Sequence, residues 1–353
     1  MSQKFWSGIA RTIQPYTAGE QPRGGVLIKL NTNENAYPPS PRVSGAVADA
    51  VGRLRLYPPA DSGAFREAVA RFYGLPVEYT YAGNGSDEVL ALAFQAYFNK
   101  GVPVAWPEVT YSFYPVYAML YGLEARPLPM AEGLTVDVEA LITHDGPKVL
   151  ANPNAPTGIA LTADTVERIA AAGEEQGFAV IVDEAYAAFS GGTAAGLIEK
   201  YPNLLVIGTL SKSHALAGLR AGYALGQPSL LEALWRIKDS FNSYPLGHLE
   251  IAAAAAALDD RAYFEEKTAA IVSTREKFSG DLRKLGFEVL PSSSNFVFTR
   301  LPGYEGNFLQ AGLREKGILV RRFDSLGDYL RITIGTPEEM DKVIGELKNL
   351  LGK

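Results

Sequence analysis

One lysine of this chain lies where it could carry covalent chemistry. Lys212 belongs to the segment GTLSKSHALAGLRAGY at 208–223, which directly follows the apolar run LLVI at 204–207. A lysine at the end of a buried strand is easily desolvated, and desolvation lowers the pKa of its amine. An unprotonated amine is the nucleophile that forms a Schiff base with an aldehyde. An S-K pair alone is typical of a solvated loop, so the hypothesis depends on the segment as a whole.

The same segment carries groups suited to a phosphate. Thr209 and Ser211 precede the lysine, and Arg220 follows it. Hydroxyls and a guanidinium bind phosphate oxygens well. A second anion-binding pattern is AGNGSDEV, in which Gly85 and Ser86 come directly before an apolar periodic run. Backbone N–H groups at a helix start converge on an anion, although glycine and serine also occur there simply as caps.

Other candidates are polar or aromatic residues beside further apolar runs. Asp183 and Tyr186 follow the run VIV, Tyr111 lies in PEVTYSFYPVY, and Arg331 lies in YLRITIGT. An acid at a strand end is commonly a helix cap, and clustered tyrosines are commonly part of a core. A guanidinium on an apolar strand needs an anionic partner, which is either a protein carboxylate or a ligand.

Composition limits what these residues can do. The chain has 353 residues, of which 47% are hydrophobic, and this length predicts about two domains with buried cores. Its net charge of -6 argues against nucleic acid as the main partner but leaves small anionic ligands open. The absence of cysteine excludes disulfides, cysteine-bound metals and a thiolate nucleophile, and three histidines leave little for a metal centre. No signal peptide or membrane segment is evident, so we expect a cytoplasmic protein.

Short apolar runs alternate with helical patterns through the first two thirds of the chain. This pattern predicts an α/β fold with a mostly parallel central sheet covered by helices, in which ligands bind at the carboxyl ends of the strands. Amphipathic helices and alternating strands nearer the end predict a smaller α+β domain. We predict a large domain over 40–255, with 1–39 and 256–353 forming an N-terminal arm and a small C-terminal domain. The expected buried strands are VPVAW at 102–106, KVLA at 148–151, FAVIV at 178–182 and LLVI at 204–207.

The segment around Lys212 resembles the lysine segment of fold-type-I pyridoxal-phosphate enzymes. That resemblance implies that Lys212 holds the aldehyde of pyridoxal 5'-phosphate. Asp183 would pair with the pyridine nitrogen, Tyr186 would bond the phenolic oxygen of the ring, and Tyr111 would lie flat on the ring. The residues implied to contact the cofactor phosphate are Gly85, Ser86, Thr209, Ser211 and Arg220.

One motif departs from the family pattern. NPNAPTG at 152–158 matches N-P-x-N-P-T-G, but Ala155 occupies the place of the asparagine that bonds the ring oxygen. Asn152, Asn154 or a water could take over this contact, or Tyr186 alone could hold the oxygen. The sequence leaves these alternatives open.

Over essentially its whole length the chain is similar to the histidinol-phosphate aminotransferases. The resemblance rests on LNTNENAYPPSP, RLYPPADSGAFREAVARFYG, VDEAY, LSKSHALAGLRAGY, GILVRR and YLRITIGT. It implies a homodimer with composite sites, in which Tyr57 reaches the cofactor phosphate of the partner subunit. Arg331 and Arg321 would bind the phosphate of histidinol phosphate in one half-reaction and a carboxylate of glutamate in the other, with Tyr37 a further candidate. Arg322 should point the other way, because side chains alternate along a strand.

The implied reaction belongs to histidine biosynthesis. It is the transamination of L-histidinol phosphate with 2-oxoglutarate, which gives imidazole acetol phosphate and glutamate with ping-pong kinetics, and Lys212 would be its general base. Two alternatives stay open: an aminotransferase for aromatic or other amino acids, and a threonine-phosphate decarboxylase. A cofactor-binding transcription regulator is disfavoured, because LNTNENAYPP begins at residue 30 and leaves no room for a DNA-binding domain before it.

Overall fold

Residues 3–17, 19–21 and 28–353 are described by the structure, which is a computed structural model. Their strands form two large sheets and a two-stranded ribbon. The strands are β1 (Ile28–Leu30), β2 (Thr80–Gly83), β3 (Val104–Pro107), β4 (Ala125–Leu128), β5 (Met130–Ala131), β6 (Thr135–Val136), β7 (Lys148–Ala151), β8 (Val180–Asp183), β9 (Leu204–Thr209), β10 (Gly222–Leu225), β11 (Glu288–Val289), β12 (Phe296–Arg300), β13 (Ile318–Arg322) and β14 (Leu330–Thr333). The helices are α1 (Gly8–Thr12), α2 (Pro41–Val51), α3 (Gly63–Tyr73), α4 (Gly85–Tyr97), α5 (Tyr114–Tyr121), α6 (Val138–Thr143), α7 (Ala163–Gln176), α8 (Pro228–Phe241), α9 (His248–Leu258), α10 (Arg261–Lys284), α11 (Gly306–Glu315) and α12 (Pro337–Leu351).

The central sheet has the strand order β2-β10-β9-β8-β7-β3-β4. Strand β10 runs antiparallel to both of its neighbours, and the other pairs are parallel. The four predicted buried runs correspond to β3, β7, β8 and β9 and are confirmed with slightly different bounds. Alternate residues pack on opposite faces: Val149 and Ile181 belong to one apolar core, and Leu150 and Val182 belong to another. Helices cover both faces, so the predicted α/β class is confirmed.

The smaller sheet has the order β1-β13-β14-β12-β11. It confirms the strands and helices predicted near the end of the chain, and its apolar face packs on residues of α10, α11 and α12. Helix α12 begins soon after β14 because Thr336 accepts from the Glu339 N–H while the Glu339 carboxylate accepts from the Thr336 N–H. This reciprocal cap satisfies two backbone N–H groups at the start of the helix.

The segment before residue 40 contacts the smaller sheet. Strand β1 adds to the sheet edge by pairing parallel with β13. The division into a domain over 40–255 and another from 1–39 and 256–353 stays a prediction, and residues 1, 2, 18 and 22–27 of the predicted arm lie outside the described residues. Among the described helices, none is both long and apolar enough to cross a bilayer.

Candidate active site

A cavity lies where β7, β8 and β9 end, between the central sheet and the smaller sheet. In-register pairing places Ala151 beside Asp183, and Asp183 beside Ile207, so the ends of these three strands meet. The cavity is also lined by the Asn-rich segment at 31–33 and by strand residues of the smaller sheet. The predicted site residues that line it are Ser86, Tyr111, Asp183, Tyr186, Thr209, Ser211, Lys212, Arg220, Arg321 and Arg331.

Lys212 follows the end of β9, and its Nζ donates to the Thr32 backbone oxygen at 3.1 Å. Burial, aided by the positive charge of Arg331, lowers the pKa of the Lys212 amine to about 8. The side chain of Asn35 holds the backbone here, because its Nδ2 donates to the Lys212 carbonyl at 2.7 Å. The amine is therefore both positioned and easily deprotonated, as the sequence predicts.

Asp183 is a buried carboxylate at the end of β8. It accepts from the Tyr114 hydroxyl at 3.2 Å and from the Ala185 N–H at 3.1 Å. Burial nevertheless raises the pKa of Asp183 to about 6, because the two hydrogen bonds do not replace the lost solvation. Among the described residues it has no ion-pair partner. A cationic ligand nitrogen in the cavity would supply the missing charge.

The start of α4 and the strand β10 approach each other closely at one end of the cavity. A Cβ on Gly222 would lie 2.3 Å from the Gly85 carbonyl carbon and 2.4 Å from the Ser86 nitrogen, so only glycine fits. Gly85 itself has φ +77, and a Cβ there would lie 2.5 Å from Nη2 of Arg220. These glycines bring helix N–H groups, the Ser86 hydroxyl and the Arg220 guanidinium together. Gly85 does not line the cavity itself, so its backbone contact with a phosphate stays a prediction.

Asp87 is a site residue that the sequence reasoning missed. Its Oδ2 accepts from Nη2 of Arg220 at 2.8 Å, and its Oδ1 accepts from the Tyr111 hydroxyl at 2.7 Å. One carboxylate thus fixes both a guanidinium and an aromatic ring. The only sequence signal was its place in the first turn of α4, where acids are common because they complement the helix dipole.

The Asn-rich segment after β1 was also missed as a source of site contacts. Thr32 and Asn35 hold Lys212 as described, and Nδ2 of Asn33 donates to the Tyr186 hydroxyl at 2.8 Å. Tyr186 lines the cavity with its ring packed edge-on against Phe296. The segment therefore orders groups on two sides of the site.

Two arginines face the cavity from the smaller sheet. Arg321 and Arg331 are direct partners across the antiparallel pair β13 and β14, so their side chains share one face. Neither forms an ion pair with a described carboxylate. Nη2 of Arg331 donates to the Asn31 carbonyl at 3.1 Å, and its buried Nε has no partner. Arg322 does not line this cavity and pairs with Asp324, as alternation along the strand predicts.

Two predicted residues lie away from the cavity of the single chain. The Tyr57 side chain is 82% exposed and stacks on Tyr244 with ring centroids 4.9 Å apart. The Tyr37 ring lies 5.2 Å from the ammonium of Lys267. Neither lines the cavity, and both assignments stay predictions.

Ala155 does line the cavity, and neither neighbouring asparagine replaces the missing amide. Asn154 donates to the Val109 carbonyl at 2.9 Å and to Thr157 at 3.1 Å. The Asn152 side chain bonds both backbone groups of Leu161. Both amides hold the loop together and neither lines the cavity, so the alternatives that stay open are a water and Tyr186 alone.

The donor set fits pyridoxal 5'-phosphate. Lys212 supplies the amine, Asp183 the unpaired carboxylate for a pyridine nitrogen, and Tyr111 a ring beside the cavity. When bound, the cofactor withdraws electrons from the carbon that carries the substrate amine. The phosphate would be held by Ser86, Thr209, Ser211 and Arg220.

Comparison with known proteins gives the same class. A family model described as aminotransferase class I and II matches residues 26–347. Histidinol-phosphate aminotransferase of Chromohalobacter salexigens is 50% identical over 348 residues, covering 98% of each chain. Histidinol-phosphate aminotransferase 1 of Pseudomonas aeruginosa is 47% identical over 347 residues, again covering 98% of each.

A solved structure agrees in fold. Histidinol-phosphate aminotransferase from Sinorhizobium meliloti, in complex with pyridoxal-5'-phosphate, aligns with a TM-score of 0.81 at 26% identity, covering 92% of this chain and 91% of that chain. The family match spans most of the sequence, and the relatives align along nearly all of it. The chain therefore belongs to the class I and II aminotransferases and, within them, to the histidinol-phosphate aminotransferases.

Proposed function

We propose that this protein transfers an amino group between L-histidinol phosphate and 2-oxoglutarate, with pyridoxal 5'-phosphate as its cofactor. The products are imidazole acetol phosphate and glutamate, in a step of histidine biosynthesis. The observation that carries the proposal is the pair Arg321 and Arg331, which line the same cavity as Lys212 without an acid partner in the described chain. The names of the relatives support the same substrate.

The unpaired guanidinium groups explain how one site accepts two substrates. A guanidinium binds phosphate and carboxylate oxygens through the same paired N–H donors. Burial lowers the pKa of Arg331, but an arginine stays charged under any physiological condition, so the group needs an anion beside it. The phosphate of histidinol phosphate and a carboxylate of glutamate would supply that anion in turn.

Four side chains of the cavity would have separate roles in this reaction. The Lys212 amine would take the proton from the α-carbon of the substrate and deliver it to the aldehyde carbon of the cofactor. Asp183 would keep a proton on the pyridine nitrogen, and the Tyr186 hydroxyl would bond the ring oxygen. Tyr111 would hold the ring against the strand ends, since its own hydroxyl is fixed by Asp87.

A homodimer is part of this proposal. In addition to Tyr57, four large side chains are exposed in the single chain: Leu54, Leu56, Phe241 and Tyr244. Exposed apolar and aromatic side chains of this kind are typical of an interface. Tyr57 would reach the cofactor phosphate of the partner subunit from this surface. Sedimentation of the wild type should give a dimer, and a monomer with full activity would contradict the composite site.

A cytoplasmic location also belongs to the proposal. Both substrates are anions that do not cross a membrane unaided, so the enzyme needs to share a compartment with them. Cell fractionation with an antibody against the chain tests this directly. Recovery in an extracellular or membrane fraction would contradict it.

One observation favours a second activity toward aromatic amino acids. The cavity that Arg321 and Arg331 line is also lined by Tyr16, Tyr111 and Phe323. A carboxylate on the arginines would place an aromatic side chain among these rings. We expect phenylalanine to be a poorer amino donor than histidinol phosphate, because one carboxylate carries less charge than a phosphate.

The deciding experiment is a visible spectrum of the purified protein with pyridoxal 5'-phosphate, before and after histidinol phosphate is added. We expect the band of the bound aldehyde form to convert to that of pyridoxamine phosphate, and 2-oxoglutarate to restore it. A band that ignores histidinol phosphate but responds to phenylalanine or aspartate would keep the cofactor and change the function to that of an aminotransferase for aromatic or other amino acids.

A further inference from the structure

Asn33 is a buried asparagine whose side chain bonds the hydroxyl of Tyr186. The residue is 1% exposed, and its Nδ2 lies 2.8 Å from the Tyr186 oxygen. Its backbone has φ +58, a left-handed conformation that asparagine tolerates better than most residues. A residue held in this conformation beside a catalytic cavity is well suited to a specific task.

The direction of the Asn33 amide is set by Thr333. The backbone N–H of Asn33 donates to Oγ1 of Thr333 at 3.1 Å, which leaves the threonine proton free to be donated. That proton goes to Oδ1 of Asn33 at 3.0 Å. Since Oδ1 is occupied as an acceptor, the NH₂ group must face Tyr186.

The contact fixes the role of the Tyr186 hydroxyl. An amide NH₂ group only donates, so the tyrosine oxygen accepts from Asn33 and its own proton must point elsewhere. No other hydrogen bond to this hydroxyl occurs within the described ranges. Tyr186 lines the cavity beside the methyl group of Ala155, which neither donates nor accepts. The proton of Tyr186 is therefore available to a group inside the cavity.

We propose that Asn33 is a positioning residue that directs the Tyr186 proton toward the ring oxygen of the bound cofactor. This inference rests on the proposed function, because it needs the cofactor in the cavity. Asn33 also lines the cavity, but the role assigned to it acts through Tyr186. Ala155 offers no amide donor to the ring oxygen. The contact of the ring oxygen on this side then depends on the orientation of the Tyr186 hydroxyl.

The consequence is spectroscopic. A hydrogen bond donated to an anionic ring oxygen favours the anion, so losing the preferred direction of that bond makes the oxygen hold a proton more strongly. We expect Asn33→Gly to raise the pH midpoint of the visible spectrum of the cofactor-loaded enzyme by roughly half a pH unit or more. Glycine is chosen because it accepts φ +58 without strain, so the change removes the amide and spares the backbone.

The test is a double-mutant cycle on the loaded enzyme without substrate. In a Tyr186→Phe background, Asn33→Gly should cause no further shift, because the hydroxyl that Asn33 directs is gone. Asn33→Asp should also raise the midpoint, since a carboxylate accepts the Tyr186 proton and withdraws it from the cavity. Thr333→Val provides a second route, because it removes the donor to Oδ1 of Asn33 and so frees the amide to rotate, at the cost of the acceptor for the Asn33 N–H.

A control separates positioning from general loosening of the segment. Nδ2 of Asn295 donates to the Asn33 carbonyl at 3.0 Å and does not touch Tyr186. Asn295→Ser should lower thermal stability and leave the midpoint unchanged. An unchanged midpoint in folded Asn33→Gly or Thr333→Val would overturn the inference, as would an equal shift in the Tyr186→Phe background. A wild-type protein with no visible band would instead reject the proposed function together with this inference.

Discussion

The arginines at the two ends of the cavity differ in whether they pair with a carboxylate. At the end next to the central sheet, Nη2 of Arg220 is 2.8 Å from Oδ2 of Asp87. At the other end, Arg321 and Arg331 face the cavity without a carboxylate partner among the described residues, and Nε of Arg331 is buried and unpartnered. A guanidinium already paired with an acid is held in place and still has donors left for a phosphate. An unpaired guanidinium can bind either a phosphate or a carboxylate.

This difference matches the different demands on the two ends. A cofactor phosphate stays bound through the reaction, so its end needs a fixed geometry more than a high positive charge. Substrates change between half-reactions, so their end needs a charge that is satisfied only while a substrate is bound. We therefore expect changes at the two ends to separate cofactor binding from substrate binding.

The largest effect is expected between the ends, at Lys212. Lys212→Ala removes the amine that forms the Schiff base and moves the proton, so transamination should fall by roughly 10³-fold or more, and the visible band should disappear. The rate of glutamate formation measures the turnover. A variant that turned over at the wild-type rate would reject the assigned base.

A matched control for this change is the buried Lys148. Burial also lowers the pKa of its amine to about 8, but its Nζ bonds the Gly146 carbonyl and Gln176 away from the cavity. Lys148→Met should therefore lower the unfolding temperature and keep the visible band. If folded Lys148→Met also lost the band, the loss in Lys212→Ala would not be specific to the amine at the cavity.

The next effect is at the substrate end. Arg331→Ala should raise the KM for histidinol phosphate and for glutamate by roughly 10²-fold, because each loses a charge-assisted contact in a buried place. The visible band of the loaded enzyme should persist, because Lys212 is unchanged. Arg322→Ala is the control, since this neighbour pairs with Asp324 and should leave both KM values alone. Equal effects of the two variants would remove Arg331 from the substrate site.

Much of this arrangement could be predicted from the sequence because it follows from local rules. Residues at the ends of parallel strands converge, and this rule alone predicts that Asp183 and Lys212 lie at one edge of the sheet. Side-chain alternation separates Arg321 from Arg322. Both predictions need only the type and position of one strand.

The missed residues depend on contacts between distant parts of the chain. Thr32 and Lys212 are 180 residues apart, and Asn33 and Tyr186 are 153 apart. No periodicity or spacing signals such a pairing, because LNTNEN looks like an ordinary polar loop. Asp87 was missed for a different reason: an acid in the first turn of a helix is explained by the helix alone.

A smaller effect is expected at the cofactor end. Arg220→Ala should raise the dissociation constant for pyridoxal 5'-phosphate by roughly 10- to 30-fold, the loss of one charge-assisted hydrogen bond of about 1.5–2 kcal/mol at a half-exposed position. The KM for histidinol phosphate should stay near the wild-type value once the cofactor is saturating. A raised KM at full cofactor occupancy would mean that the two ends are not separate.

The last prediction needs no mutation and concerns the pH dependence of the Lys212 amine. Because the pKa of Lys212 is lowered to about 8, the amine is mostly protonated below that pH and cannot attack an aldehyde. Cofactor uptake by the cofactor-free protein should rise about tenfold per pH unit below pH 8 and level off above it. Stopped-flow absorbance at saturating pyridoxal 5'-phosphate measures the rate. Arg331 is one cause of the lowered pKa, so Arg331→Ala should move the break to higher pH, whereas Arg322→Ala should not. A break that stays in place in Arg331→Ala would mean that burial alone sets the Lys212 pKa and that the substrate end does not act on the amine.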